Sequence, residues 1–328
     1  MRIFIDGFEA GSLLLWDEIG DPATVAAGVE GMDGGYCADL SDSEAYISRS
    51  IAAIGELYMA FRWRCTAEEN QSVLTFYSGS EVQCSLKNNF GFVMEAWRGN
   101  QSTGTLLATG VRELVKDTTY LVEVHVKIDD SSGVFAVKID GLSDIAFSGD
   151  TKHSSSSSTV DKIRLGYNTY YYGYQYFDNV VLDDAGWIGE TFIQVLVPNA
   201  AGNDTDWSPS AGDNYACVDE VPASEDDYVF ASAAGKRDLY NLASLSGTIS
   251  SVLCVQAQST VKKTGTPAGD HLKLAVRTGG EVFYGDSEEI PTETTSLLHV
   301  WELNPDTEAA WQTSEVNALQ AGFETANS

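Results

Sequence analysis

Six tyrosines, Tyr167, Tyr170, Tyr171, Tyr172, Tyr174 and Tyr176, fall within ten positions of a chain that has fifteen. Flat rings with one polar tip suit stacking on sugars and contacts between proteins, at low cost in rotamer entropy. Tyr171 and Tyr172 are adjacent, so an extended backbone sends them to opposite faces and at least one is expected at a surface. Trp97, in the run Glu95-Ala96-Trp97-Arg98-Gly99, is a candidate to join that surface, against the alternative of an ordinary core position. A second set is acidic. Asp6 lies between Phe4 and Phe8, and Asp178 between Tyr176 and Val180, where strand alternation would place an apolar side chain. A carboxylate among apolar neighbours is costly unless it is hydrogen-bonded or bound to a cation. Together with Glu9, these oxygens would suit a structural calcium. The alternative is that all three accept backbone N–H groups in turns at a sheet edge. No cofactor is otherwise required by any motif. Gly-x-Ser-x-Gly and His-Glu-x-x-His are both missing, and the four histidines, His125, His153, His271 and His299, are scattered. Five cysteines at wide spacings, with no Cys-x-x-Cys, read as buried thiols.

The elements that must hold these residues are strands. Period-2 alternation is clearest from Tyr120 to Ile128, where Tyr120, Val122, Val124, Val126 and Ile128 share one face, opposite Glu123, His125 and Lys127. Asp129 to Gly133 supplies a turn and Val134 to Ile139 returns, which predicts a hairpin. His125 then sits at a polar strand position, facing solvent or packing on the sheet. Shorter runs at Ala45–Ile47, Leu57–Cys65, Val73–Tyr77, Gly91–Trp97, Lys162–Tyr167 and Tyr176–Leu182 extend the pattern, and many short strands between turn signals predict an all-β antiparallel sandwich.

A domain boundary is expected near Asp183-Asp184-Ala185-Gly186, giving units 1–186 and 187–328. Beyond it, Gly189 to Pro198 is expected to open a second strand set, followed by a long polar stretch to Glu225, further strands at 248–259, 273–278, 281–284 and 296–303, and a helical turn at 313–319. The net charge of −29 repels phosphate backbones and anionic membranes, so nucleic acid is excluded as an expected partner. No run reaches the roughly 18 apolar residues of a membrane helix, so no membrane insertion is expected.

The stretches Tyr120–Gly141 and Tyr176–Leu182 resemble the concanavalin A-like, laminin G-type jelly roll over residues 1–186, and the rest is expected to form a second β-sandwich for assembly or anchoring. Val197–Glu220, Gly235–Tyr240, and Trp301–Pro305 with Trp311 resemble a C-terminal region of phage virion proteins. That resemblance implies a non-enzymatic structural protein on a phage tail or capsid surface, assembled in the host cytoplasm. Its partners would be other virion proteins, further copies of itself, and a host-surface glycan at the tyrosine surface. The alternative is a free carbohydrate-binding module or a polysaccharide hydrolase. Retaining hydrolases of the jelly-roll kind need two carboxylates on one strand face about 5 Å apart, in Glu-x-Asp-x-Glu or a near variant. The Glu225-Asp226-Asp227 triplet lacks the second glutamate, so the expectation from sequence is that the chain is not an enzyme.

Overall fold

The computed structural model describes all residues except 30–31, 33–34, 42–43, 67–69, 154–156, 168–174 and 328. It is all-β, with 52% strand and 3% helix, and divides into two compact units, Met1–Ile193 and Gln194–Ser328. Among the described residues no helix is long and apolar enough to cross a membrane.

The first unit is built from two antiparallel sheets. One has eight strands in the order Leu142–Gly149, Gly133–Ile139, Thr119–Lys127, Glu56–Cys65, Gln175–Asp183, Tyr36–Asp39 and Thr24–Ala27, with Arg2–Asp6 also pairing to Gln175–Asp183. The other has seven, in the order Thr105–Thr109, Met94–Arg98, Glu81–Asn88, Gln71–Ser78, Val160–Gly166, Tyr46–Ile54 and Glu18–Gly20. The expected hairpin forms with Val122 opposite Ile139 and Lys127 opposite Val134. Alternation explains the core: Val122, Val124 and Val126 are buried with Phe135, Val137 and Ile139, and from the other sheet Ile47, Leu74, Phe76, Leu86, Ile163 and Leu165 are buried as well. Phe76 meets Phe135 edge to face across the interior, with centroids 6.1 Å apart. Gln175 ties the layers polarly, accepting from Trp63 Nε1 at 3.0 Å and donating to the Ser72 carbonyl at 3.1 Å.

Gln175–Asp183 changes partners midway. Tyr176 and Phe177 pair with Asp39 and Ala38, whereas Val180 to Leu182 pair with Asp6, Ile5 and Phe4. The changeover coincides with a bulge between Asp178 and Val181 and a left-handed Asn179 at φ 48°. Asp178 therefore does not share a simple strand face with Tyr176 and Val180.

Gly189 to Val197 is not a strand. Its first part, Gly189 to Ile193, runs back along the first unit, with the Gly189 N–H donated to Glu123 at 2.8 Å and the Ile193 N–H to Asn179 at 2.8 Å. The division consequently falls after Ile193, seven residues beyond Gly186. In the second unit, strands Pro198–Thr205, Arg237–Leu242, Gln320–Ala326, His271–Thr278 and Glu281–Glu289 form a five-stranded sheet in that order. Val255–Val261 pairs with Thr295–Trp301 as a separate ribbon, and Ser208–Pro209 with Val229–Phe230 as another. The core gathers Tyr240, Leu274, Trp301, Trp311, Val316 and Phe323. The helical turn forms at Thr313–Asn317 behind a capping box between Gln312 and Glu315.

Candidate functional site

The seven-stranded sheet buries its apolar face and presents a polar, aromatic face on the other side. Strand register sets a continuous row across it: Glu18 opposite Ser48, Ser48 opposite Arg164, Arg164 opposite Thr75, Thr75 opposite Ser85, Ser85 opposite Trp97, and Trp97 opposite Leu106. Directly opposed residues lie on the same face, so side chains from distant parts of the sequence become neighbours. One pleat repeat away, Lys162 stands opposite Tyr77, and Tyr46 precedes Ser48 by two on its strand.

Arg164 is the centre of this face. Its guanidinium carbon lies 4.2 Å from the Tyr46 ring centroid, 5.0 Å from that of Tyr77 and 5.5 Å from that of Tyr167. Lys162 Nζ lies 5.0 Å from the Tyr77 centroid, and Lys87 Nζ 5.2 Å from that of Trp97. Contacts of this kind hold cations and rings in fixed mutual positions. Arg164 Nε donates to Ser48 Oγ at 3.3 Å, and Glu18 receives Lys162 at 3.2 Å with Arg164 at 3.7 Å. Partial burial opposes ionisation of Glu18, but the Lys162 hydrogen bond and both cations outweigh it and hold the carboxyl below its ordinary range. Burial holds the Tyr77 phenol above its ordinary range, against the pull of Arg164. Between these groups opens a small cleft lined by Ser72, Thr75, Tyr77, Ser85, Arg164 and Tyr167 together with Asn100 and Gln101.

Local backbone choices make the arrangement. A β-carbon at Gly20 would collide with the Tyr46 ring, so glycine is needed where the edge strand passes it. Tyr167 follows the last strand residue in a left-handed conformation at φ 83°, which is strained for a tyrosine. Its N–H is donated to the Ala45 carbonyl at 2.8 Å and its ring meets Tyr46 edge to face at 5.7 Å. Trp97 is fixed by its indole N–H donated to Glu95 at 3.2 Å, and Glu95 is in turn held by Lys87 at 3.4 Å and Asn89 at 2.8 Å.

Trp97 and Tyr167 both belong to the seven-stranded sheet's polar, aromatic face. Tyr170, Tyr171, Tyr172 and Tyr174 lie outside the described residues. Tyr176 is on the other sheet, opposite Asp39. Sequence reasoning missed Tyr46, Tyr77, Lys162 and Arg164. The signal for two of them was present, since Lys162 and Arg164 alternate with Ile163 and Leu165 and so define a cationic strand face.

The three acids considered for calcium have other duties. Asp6 accepts the Phe8 N–H and the Trp16 indole N–H, both at 2.8 Å. Both oxygens of Glu9 accept the Gly35 N–H at 2.9 Å, and Asp178 accepts the Asn179 N–H at 2.6 Å in the bulge. Among the described residues no group of three or more His, Cys, Asp or Glu side chains is placed to hold a metal ion. Each of the three accepts a backbone N–H. On the opposite side of the unit, His125 stacks on Tyr58 at 4.1 Å and bonds Glu56 at 2.7 Å, which is a sheet-packing role. Burial raises the thiols of Cys37, to about 12, and of Cys84, well above the ordinary range, so neither is an activated nucleophile.

No family model matches the chain, and no curated protein matches it. Among solved structures it is similar to carbohydrate-binding module CBM66 from Bacillus subtilis, at 13% identity over 50% of this chain and 93% of that one, with a TM-score of 0.34. Domain 4 of the extracellular arabinanase AbnA from Geobacillus stearothermophilus, in complex with arabinotriose, gives 13% identity over 55% and 91%, with a TM-score of 0.38. The alginate lyase Aly36B in complex with an alginate trisaccharide gives 14% over 46% and 82%, with a TM-score of 0.33. At such identities the likeness is one of β-sandwich fold. Two expectations are nevertheless corrected. The neighbours are carbohydrate-binding and carbohydrate-cleaving domains, which stands against the expectation of a non-enzymatic virion structural protein. Lyase and sialidase structures stand among them, against the expectation of no enzymatic activity.

Proposed function

We propose that the first unit is a carbohydrate-recognition domain that receives a saccharide on the outer face of its seven-stranded sheet. The observation that carries this reading is the transverse row from Glu18 to Leu106, with Trp97 at one end and the Arg164 cluster of three tyrosine rings near the other. A sugar ring has an apolar face of C–H groups and a rim of hydroxyls. The face supplies both complements: the partly exposed rings of Trp97, Tyr46 and Tyr167, and the amides and cations beside them, over a buried floor of Ser48, Thr75 and Ser85. Those side chains are already fixed by cross-strand pairing and cation–ring contacts, so little ordering cost falls on binding.

Isothermal titration against a panel of polysaccharides tests the reading. Replacing Trp97 with Ala is expected to weaken binding about tenfold or more, the loss of roughly 1.4 kcal/mol or above that follows removal of a stacking anchor. Retention of full affinity by that variant would remove the face from consideration. Sizing the polymer after incubation adds a second readout, since shortened chains would turn the recognition domain into a depolymerase.

Tyr167 gives a sharper separation of fold from binding. Replacing it with Gly relieves left-handed strain and loosens the unfolded chain, effects of about 1 kcal/mol each and opposite in sign, and removes the ring contacts with Tyr46 and Arg164, which costs about 1 kcal/mol more. Thermal stability should therefore hold within about 1 kcal/mol while saccharide affinity falls. A collapse of stability with no separate binding defect would make Tyr167 a packing residue.

A further inference from the structure

Resting on the recognition reading above, we infer that the preferred ligand is an acidic saccharide whose carboxylate is received by Arg164 in the cleft beside Tyr77 and Tyr167. Three observations lead there. Arg164 is the one charged residue among those that line the cleft; its other walls are hydroxyls, amides and rings. Among the described ion pairs, Lys162 and Arg164 share the one carboxylate of Glu18, which leaves one positive charge over. On the same face Lys87 is balanced by Glu95, so the excess is confined to the Arg164 end. A chain of net charge −29, with only 19 Lys and Arg, gathers three of them on this face.

A planar guanidinium offers a carboxylate two parallel N–H donors, which an ammonium cannot. The three surrounding rings fix the plane of that fork and lower the local dielectric, strengthening the attraction. The wider field works the other way. A net charge of −29 repels a polyanion at long range, and at about 0.15 M salt this is screened beyond about 8 Å, so the contact at Arg164 decides the outcome at physiological ionic strength and is obscured at low salt.

The test uses the whole chain at about 0.15 M salt with three probes: polygalacturonate, the same polymer with its carboxyl groups reduced to hydroxymethyl groups, and dextran sulfate. Polygalacturonate is expected to bind at least about tenfold more tightly than its reduced form, the range of a charge-assisted hydrogen bond. Arg164→Gln should erase that difference, and Arg164→Lys should restore less than half of it on a logarithmic scale. The lysine variant keeps the charge, so a loss in both variants cannot be ascribed to charge removal alone, and circular dichroism checks that each remains folded. Equal binding of native and reduced polymer, with loss of both in Trp97→Ala, overturns the acidic preference and leaves saccharide recognition standing. A preference for dextran sulfate overturns the carboxylate assignment. Failure of the whole polysaccharide panel would instead remove the recognition reading itself.

Discussion

Replacing Asp238 with Ala is expected to destabilise the second unit by about 3 kcal/mol or more. Asp238 is fully buried, and its carboxylate accepts the Trp207 N–H at 3.1 Å, the Asn214 side-chain amide at 2.5 Å and the Tyr240 hydroxyl at 2.9 Å. Removing the acceptor strands the buried Tyr240 hydroxyl and takes a partner from the half-buried Trp207 N–H and Asn214 amide; a buried unsatisfied group costs about 1–3 kcal/mol and the loss of the other two bonds about 1 kcal/mol each, only partly relieved by relaxation. Burial and the adjacent carboxylate hold the Tyr240 phenol far above its ordinary range, so it stays a donor at every accessible pH. Hydrogen exchange at the Arg237–Leu242 and Gln320–Ala326 amides reads this unit without mixing in the other. Adding Tyr240→Phe to the alanine variant removes one stranded donor and should recover part of the loss, whereas Tyr240→Phe alone should cost about 1 kcal/mol. An Asp238→Ala loss below about 1 kcal/mol would show that the three donors find other partners.

The second large effect is a pH dependence of opposite sign to that of ordinary carboxylates. Burial raises Asp6 from 3.8 to about 6, more than the Phe8 and Trp16 hydrogen bonds and the nearby Arg49 lower it. Because the folded value exceeds the unfolded one, the native state holds the extra proton between about pH 4 and 6, and stability falls as pH rises through that window. The contribution is fully present below about pH 4 and gone above about pH 6. A rise of this size is equivalent to about 3 kcal/mol of folding free energy. Acids held low, such as Glu18 and Asp129, act in the opposite sense and must be subtracted. Comparing unfolding free energies of the wild type and Asp6→Asn from about pH 3.5 to 7 does this. The difference between the two curves should slope through the window by about 3 kcal/mol and be flat outside it. Parallel curves would place the native Asp6 at its unfolded value.

The strands of the first unit were legible because burial on one face writes a period of two into the sequence, as from Tyr120 to Ile128. Pro198–Thr205 was not, because its alternation is carried by alanine, glycine, asparagine and threonine, which read as polar loop. Gly189 to Val197 misled in the opposite way: it forms no strand, and Ile193 packs against the first unit at Gly7 rather than pairing. At the candidate site, Trp97 and Tyr167 stood out by residue type. Tyr77 looked like the end of an apolar strand and Tyr46 like the start of one. Only long-range register places them around Arg164, and register is not written locally. The segments Val197–Glu220 and Gly235–Tyr240 are tied together physically, since Trp207 and Asn214 from one reach Asp238 from the other. Their shared character reports an interlocked scaffold.

The split pairing of Gln175–Asp183 also sets a timetable. Arg2 bonds Asp183 across 181 positions, so the opening strand has no partner until almost the whole first unit has left the ribosome. At about 5–20 residues per second that is a wait of roughly 10–40 s with an unpaired strand edge exposed. Closure of such non-local pairing is intrinsically slow. The same strand completes the place of Tyr36–Asp39 in the sheet, so release of this one late segment lets both edges seal in a single step. Ribosome-stalled chains that end before residue 175 should therefore present a protease-sensitive amino-terminal strand, and chains extended past 193 should not.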